Sequence, residues 1–224
     1  GADDAARRWA LLSILAGRSD EARRITFRHG DAAPREVVLP VERRFDRPPG
    51  AVQERTLPGN IGYIRFNNSI GEQATVTAFD VALAHLRGTA GLIIDLRDVP
   101  SGGDSSVALG VMGRFVHAAR AYQKHRIPNY GQVDVQRVWL ELVSPRGPFT
   151  YDGPLAVLAD HWTGSMGEGM AMGFDAIGRA AVMGTPMAHL AGAVSDYTLA
   201  RTGIRAAWPM EQVLHPDGTP RESW

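Results

Sequence analysis

The sequence predicts an α/β fold in which helices cover a largely parallel sheet. From Asn60 onward, short apolar runs alternate with segments whose apolar residues recur at helical spacing. Glycine-rich stretches stand at junctions between the two kinds of segment. Apolar strands joined by helices are typical of a sheet that is buried on both faces. With 44% hydrophobic and 21% charged residues, the chain of 224 residues also has the composition of a globular protein.

The predicted elements follow one another in a regular order. Helices are expected between the first two strands, after Gly103, and from about Met166, where apolar residues recur at helical steps. Residues 120–150 show no clean period, so we expect an insertion or a flap there. The predicted strands are IGYIRF (61–66), GLIIDLRD (91–98), GPLAVLAD (153–160), RAAVMG (179–184) and SDYTLA (195–200).

A smaller module is predicted to precede this pattern. Residues 5–15 have the spacing of a helix, and the segments RRITFRHG and REVVLPV indicate two strands around a turn. So short a segment buries too little surface to fold alone. The prediction therefore divides the chain into a partial module (1–43), a linker (44–54) and a main domain (55–224).

Composition excludes several classes of function. The 24 Lys and Arg residues balance 24 Asp and Glu residues, which leaves no basic surplus for nucleic acid. Cysteine is absent, so disulfides, thiolate metal sites and a cysteine nucleophile are excluded. No apolar run approaches the roughly 20 residues needed to cross a bilayer, and the first residues lack the apolar segment of a signal peptide.

Two predicted strand-to-helix loops contain residues suited to chemistry. In the first, Gly102 and Gly103 follow an apolar strand, and a double glycine exposes backbone N–H groups that bind an anion or a developing oxyanion. The alternative for this pair is an ordinary tight turn. In the second, Ser165 begins a helix, where it is either a nucleophile beside the N–H of Met166 or, with Glu168, a capping box.

A serine nucleophile needs a base, and His189 is the candidate within the chain. It lies in the loop after the strand that follows the predicted Ser165 helix. His161 is close to Ser165 in sequence, but a residue at that offset from the end of a strand usually points elsewhere. No histidine and carboxylate pair has metal-ligand spacing, and neither loop carries the lysine of a phosphate-binding loop.

Four segments in fixed order resemble the serine peptidases that comprise the C-terminal processing proteases and the tricorn core. They are NIGYIRF, GLIIDLRDVPSGG, PLAVLADHWTGSMGEGMAMGF and RAAVMGTPMAHLAGAVSDYTLARTGI, with HPDGTPRE near the end. The resemblance covers about residues 55 to 224, and the residues before it resemble the end of a PDZ domain. It implies a crotonase-like (ClpP-like) spiral of strands and helices, hydrolysis of peptide bonds, and no metal or organic cofactor.

The resemblance also implies roles for individual residues. By position in the motifs, Ser165 matches the nucleophile, while Met166 and one glycine of the pair Gly102 and Gly103 match the oxyanion hole. Processing proteases pair their serine with a lysine in the loop that here spans residues 184–192. That loop contains no lysine, and the only lysine of the chain, Lys124, lies far from it in sequence.

The missing lysine favours the tricorn-like branch, in which a histidine activates the serine with help from a downstream glutamate. Glu222 lies where that glutamate is expected, and the alternative is a solvated charge at the chain end. The branch places its histidine before the PDZ domain, so the base is either His189 or a residue outside this chain. Trp139 and Arg137 are candidate substrate-binding residues, with ordinary packing as the alternative.

Two other classes of function stay open. One is a non-catalytic relative that binds a peptide or another ligand. The other is an acyl-CoA enzyme of the crotonase fold, against which the serine of TGSMGE and the near-absence of lysine argue. For a peptidase we expect a peptide or protein substrate, and a homo-oligomer is compatible with the sequence. Because relatives are usually exported, we expect a periplasmic or secreted location.

Overall fold

A computed structural model describes residues 7, 10–11, 21–41, 49–129, 131–132 and 134–224. The chain divides into two compact units, Gly1–Pro48 and Pro49–Trp224. The first contains an antiparallel hairpin of β1 (Arg23–Phe27) and β2 (Arg35–Leu39), as the sequence predicts. Most of the predicted helix at residues 5–15, and the linker up to Pro48, lie outside the described residues. The PDZ-like character of this unit stays a prediction.

The second unit contains a five-stranded sheet with three helices. The sheet has the order β3-β4-β5-β8-β9, and all neighbours are parallel except β3 and β4. The sequence predicts all of these strands but β3, three residues of which it assigns to the linker. The strands are β3 (Val52–Leu57), β4 (Ile61–Phe66), β5 (Gly91–Asp95), β8 (Leu155–Ala159) and β9 (Ala181–Gly184), and the helices are α1 (Ala74–His85), α2 (Ser105–Met112) and α3 (Met166–Ala176).

A second, four-stranded sheet is antiparallel throughout and was not expected. Its order is β10-β11-β6-β7. Most of residues 120–150, where the sequence predicts an insertion or a flap, forms the antiparallel pair of β6 and β7. The sequence did not reveal these strands because both faces of β7 are largely exposed, so no apolar period marks it. The strands are β6 (Arg120–Pro128), β7 (Gln136–Val143), β10 (Gly192–Thr198) and β11 (Arg205–Leu214).

Helix α3 contacts strands of both sheets and is buried along nearly its whole length. Every residue from Met166 to Phe174 is buried, which is typical of a helix at the centre of a fold. A Cβ atom added at Gly173 would lie 2.9 Å from Tyr122 of β6, so a larger residue would force the helix off that sheet. The N-terminus of α3 therefore has a fixed position relative to both sheets.

An aromatic cluster fills the core between the first sheet and the helices. Phe79 of α1 stacks on Phe66 of β4 at 5.8 Å between ring centroids, and Phe115 packs edge-on against Phe174 of α3 at 5.2 Å. All four side chains are buried, so they hold α1 and α3 against the sheet.

No helix among the described residues is long and apolar enough to cross a membrane.

Candidate active site

Three loops meet at the carboxyl ends of neighbouring parallel strands, where α/β proteins commonly bind ligands. The loop after β8 is bonded to the other two. The N–H of Gly164 donates to Val99 O (3.0 Å), and the N–H of Ala188 donates to Thr163 O (3.1 Å). The loops follow β5, β8 and β9 and contain Gly102, Ser165 and His189, respectively. The fold therefore gathers the three segments that the sequence singles out.

Ser165 occupies a strained position at the start of α3. Its φ of +51° and ψ of −116° are rare for a residue with a side chain and cost about 1–3 kcal/mol. Met166, the next residue, is the first of the helix, so its N–H is one of those that the helix leaves without an internal partner. Backbone strain of this kind clusters at functional sites, and here it lies beside a free helix N–H group.

Gly102 lies directly against Ser165. A Cβ atom on Gly102 would lie 2.4 Å from Ser165 Cβ, 2.8 Å from Ser165 Oγ and 2.7 Å from the nitrogen of Met166. The φ of Gly102 is +67°, which also favours glycine. Gly103 faces elsewhere, since its Cβ would lie 2.2 Å from the backbone of Ile70. Of the two glycines, Gly102 is the one that borders the Ser165 hydroxyl.

The Glu168 carboxylate is bonded both to the backbone of Ser165 and to the loop that contains His189. Its fully buried carboxylate accepts the N–H of Ser165 (2.8 Å to Oε2) and the N–H of Leu190 (3.1 Å to Oε1). The first bond belongs to the capping box that the sequence offers as one alternative for Ser165. Burial raises the pKa of the Glu168 carboxyl, although Arg221 and these N–H groups lower it.

Arg221, which the sequence analysis missed, is the cation beside Glu168. It lies in a short 3₁₀ helix, Arg221–Ser223, with its Nε 3.8 Å from Glu168 Oε2 and only 4% of its side chain exposed. The Nε–H also donates to Leu190 O at 2.8 Å, and Nη2 donates to Gly192 O at 3.3 Å. Burial lowers the pKa of the guanidinium, and Glu168 opposes that shift. One side chain thus ties the end of the chain to the loop that carries His189.

His189 is exposed and has a defined hydrogen-bond partner. Its Nδ1 lies 2.7 Å from the carbonyl oxygen of Glu222. A carbonyl only accepts hydrogen bonds, so Nδ1 carries the proton and the neutral ring has its lone pair on Nε2. The next residue, Leu190, donates its backbone N–H to the Glu168 carboxylate that also accepts the N–H of Ser165. The loop that contains His189 and the start of α3 therefore share one carboxylate.

Glu222 is partly buried rather than a fully solvated charge at the chain end. Its Oε1 accepts a hydrogen bond from Gln212 Nε2 at 3.4 Å. Its Oε2 is buried and has no hydrogen-bond partner among the described residues. The contact of Glu222 with His189 is made through the backbone carbonyl, which leaves the side chain facing Gln212.

The other candidate residues have different surroundings. Trp139 stacks on His125 (4.9 Å between centroids, 7° between planes) and is 40% exposed, so its role in substrate binding stays a prediction. Arg137 is exposed on β7, and Lys124 belongs to β6 of the second sheet. His161 packs beside Trp162. Within the described part of the chain, no group of three His, Asp or Glu side chains is placed to hold a metal ion.

Asn68 is a second residue that the sequence did not reveal. Its Oδ1 accepts the N–H of Ser101 (3.0 Å), and its Nδ2 donates to Ser101 Oγ (2.8 Å). These bonds hold the loop immediately before Gly102. The positive φ of Asn68 (+55°) marks a turn, but no motif in the sequence connects it with a loop more than thirty residues later.

Comparisons with known proteins agree with this architecture. A putative peptidase from Parabacteroides merdae is 19% identical to this chain, with a TM-score of 0.68. The match covers 77% of this chain and 55% of that peptidase. Mature CPAF complexed with lactacystin is 14% identical with a TM-score of 0.68, and the match covers 90% of this chain and 61% of CPAF. The photosystem II D1 C-terminal processing protease is 19% identical with a TM-score of 0.65, and the match covers 96% of this chain and 56% of that protease. The chain thus spans 55–61% of the length of these structures, and at such identities the likeness shows the fold.

A family profile gives a more specific result. The profile of Peptidase family S41 matches residues 60–223, which include all three loops of the site. The mixed α/β architecture accords with that match, while the crotonase-like spiral stays a prediction. The chain belongs to Peptidase family S41.

Proposed function

We propose that this chain carries the catalytic residues of a serine endopeptidase, with Ser165 as nucleophile and His189 as general base. The observation that carries the proposal is the bond from His189 Nδ1 to Glu222 O, because it leaves Nε2 as the basic nitrogen. The shared Glu168 carboxylate supports it by keeping the two loops adjacent. The proposal places the general base within this chain.

The first half of the reaction forms an acyl-enzyme. Ser165 Oγ attacks the carbonyl carbon of the peptide bond while its proton passes to His189 Nε2. The carbonyl oxygen becomes an oxyanion, which the N–H groups of Met166 and Gly102 stabilise. The N-terminus of α3 adds a favourable electrostatic field at this point. Protonated His189 then gives its proton to the leaving amine as the C–N bond breaks.

The second half restores the enzyme. Water attacks the ester carbonyl, His189 Nε2 takes a proton from that water, and the Ser165 oxygen leaves as the proton returns to it. Glu222 acts as a positioning residue, since its carbonyl fixes the tautomer of His189 in both halves. The ester and the tetrahedral intermediates involve only Ser165 and the substrate, so no cofactor enters this sequence of steps.

Hydrolysis of an internally quenched peptide library by four purified chains tests the proposal. We expect activity in the wild type, and a loss of at least 100-fold in S165A and in H189A, since nucleophile and base each contribute at least that factor. The matched control is H85A, because His85 is an exposed histidine on α1 bonded to Glu54. It should retain full activity.

The outcomes separate the alternatives. Activity that survives in S165A would refute the nucleophile. Activity that disappears in S165A but survives in H189A would place the base elsewhere. A folded wild-type chain that hydrolyses nothing but binds peptides would instead favour a non-catalytic relative.

A further inference from the structure

A cleft opens on the second sheet, where residues of β6, β7 and β11 meet Ala191 of the loop that contains His189. Its volume is about 330 Å³. Pro128, Ala191, Pro209 and Met210 give it apolar walls, and Arg126 and Gln212 bring polar groups to it. A cleft that combines apolar walls with a few polar groups is suited to one side chain of a larger ligand.

Arg126 lines this cleft and has no anionic partner in the part of the chain that the structure describes. Its Nε donates to Gln212 Oε1 at 2.9 Å, and Nη2 donates to the same oxygen. A guanidinium has five N–H donors, so one amide oxygen satisfies few of them. Among the described residues no carboxylate lies within ion-pair distance of Arg126. Glu211 also lines the cleft, but its carboxylate is bonded to His125.

The cleft is connected to the proposed catalytic base through two hydrogen bonds. Gln212 Nε2 donates to Glu222 Oε1 (3.4 Å), and His189 Nδ1 donates to Glu222 O (2.7 Å). Ala191, a wall residue, lies two positions after His189. The base of a serine peptidase protonates the leaving amine, so residues after the scissile bond lie on the side of that histidine.

We infer that this cleft binds a carboxylate on the leaving-group side of the scissile bond, and that Arg126 determines this specificity. The inference rests on the proposed function and deepens it. The planar guanidinium matches a carboxylate in two parallel hydrogen bonds, while the apolar walls accept the methylene groups of a glutamate. A charge-assisted bond of this kind corresponds to a preference of about 10- to 100-fold in kcat/KM.

Matched peptides test the inference. Quenched substrates with one cleavage site and an amidated C-terminus would carry Glu, Gln or Lys at each of the first three positions after the scissile bond. The wild type should prefer Glu over Gln by about 10- to 100-fold at one of them. R126Q should lose that preference, R126K should retain part of it, and R126E should prefer Lys. R120Q, the same change at an exposed residue of the same strand, should leave the preference intact.

A second set of peptides with free C-termini distinguishes a terminal carboxylate from a side chain. A preference for the free acid that R126Q abolishes also supports the carboxylate site. Equal cleavage of Glu, Gln and free-acid peptides by the wild type would overturn the inference, as would an undiminished Glu preference in R126Q.

Binding keeps this test separate from catalysis. Fluorescence anisotropy with S165A measures the affinities of the Glu and Gln peptides without turnover. Selective binding that R126Q removes would support the cleft even if the wild type cleaves nothing, in which case the proposed function alone would fail. Equal affinities in S165A would contradict the cleft itself.

Discussion

Replacing Arg221 by methionine leaves the Glu168 carboxylate buried without its cation. The side chains are only 4% and 0% exposed. At the observed 3.8 Å between Nε and Oε2, Coulomb's law gives about 4 kcal/mol for an effective dielectric constant of about 20. This value falls within the range of about 3–5 kcal/mol for breaking a buried pair by removing one partner. We therefore expect R221M to lower the free energy of unfolding by about 4 kcal/mol at neutral pH.

The penalty should depend on pH in a defined direction. Burial already raises the pKa of Glu168, and loss of Arg221 removes an interaction that lowers it. A carboxyl with a raised folded-state pKa loses stability as the pH rises from its unfolded value through the folded one. R221M should therefore be closest to the wild type in acid. The double variant E168Q/R221M should recover at least half of the loss at neutral pH, because no charge remains buried.

Urea unfolding gives these free energies, and labelling with a fluorophosphonate reports the site. Per folded molecule, R221M should react more slowly at Ser165, since the loop of His189 loses the bonds of Arg221 to Leu190 O and Gly192 O. R114M is the control, because Arg114 is another buried arginine, paired with Asp80 away from the site. It should lose stability but keep its labelling rate. An unchanged rate in R221M would refute the positioning role.

Three further predictions follow from the geometry. S165G should be more stable than S165A by on the order of 1 kcal/mol in urea unfolding, because glycine relieves the positive φ and alanine does not; equal stabilities would contradict the strain. G102A should reduce labelling of Ser165 by at least 100-fold in the fraction that folds, since its Cβ would lie 2.7 Å from the Met166 nitrogen; wild-type labelling would argue against this oxyanion hole. Burial lowers the pKa of His125, but its bonds to Glu141 and Glu211 raise that pKa overall. The wild type should therefore exceed H125N in stability most below about pH 6.5, and the difference should shrink as the pH rises. A constant difference between pH 6 and 9 would contradict that last prediction.

The first sheet was predictable because its central strands are buried on both faces. The sequence therefore shows short apolar runs at β4, β5 and β8. Of the second sheet, the sequence predicted only β10, since β7 is largely exposed and β11 contains Pro209 beside a β-bulge. Proline and mixed polarity interrupt the alternation of apolar and polar residues by which a strand is recognised in a sequence. What stabilises them is pairing with neighbours that are distant in sequence.

The same distinction applies to the site. Ser165 and Gly102 stand in local motifs, a capping signal and a double glycine, which the sequence displays. Arg221 stands in no motif, and its role depends on a contact with Glu168 that only the folded chain creates. The tautomer of His189 likewise depends on the carbonyl of Glu222, which no residue type encodes. Local chemistry was visible in the sequence, whereas the long-range contacts that orient it were not.

The proposed mechanism requires His189 to activate Ser165. Intact-mass and peptide mapping after fluorophosphonate treatment test it most directly, with H189A compared to the wild type and to H85A. We expect a single adduct on Ser165 in the wild type and H85A, formed at least 100-fold more slowly in H189A. A folded wild-type chain without an adduct, or H189A that reacts at the wild-type rate, would contradict this mechanism.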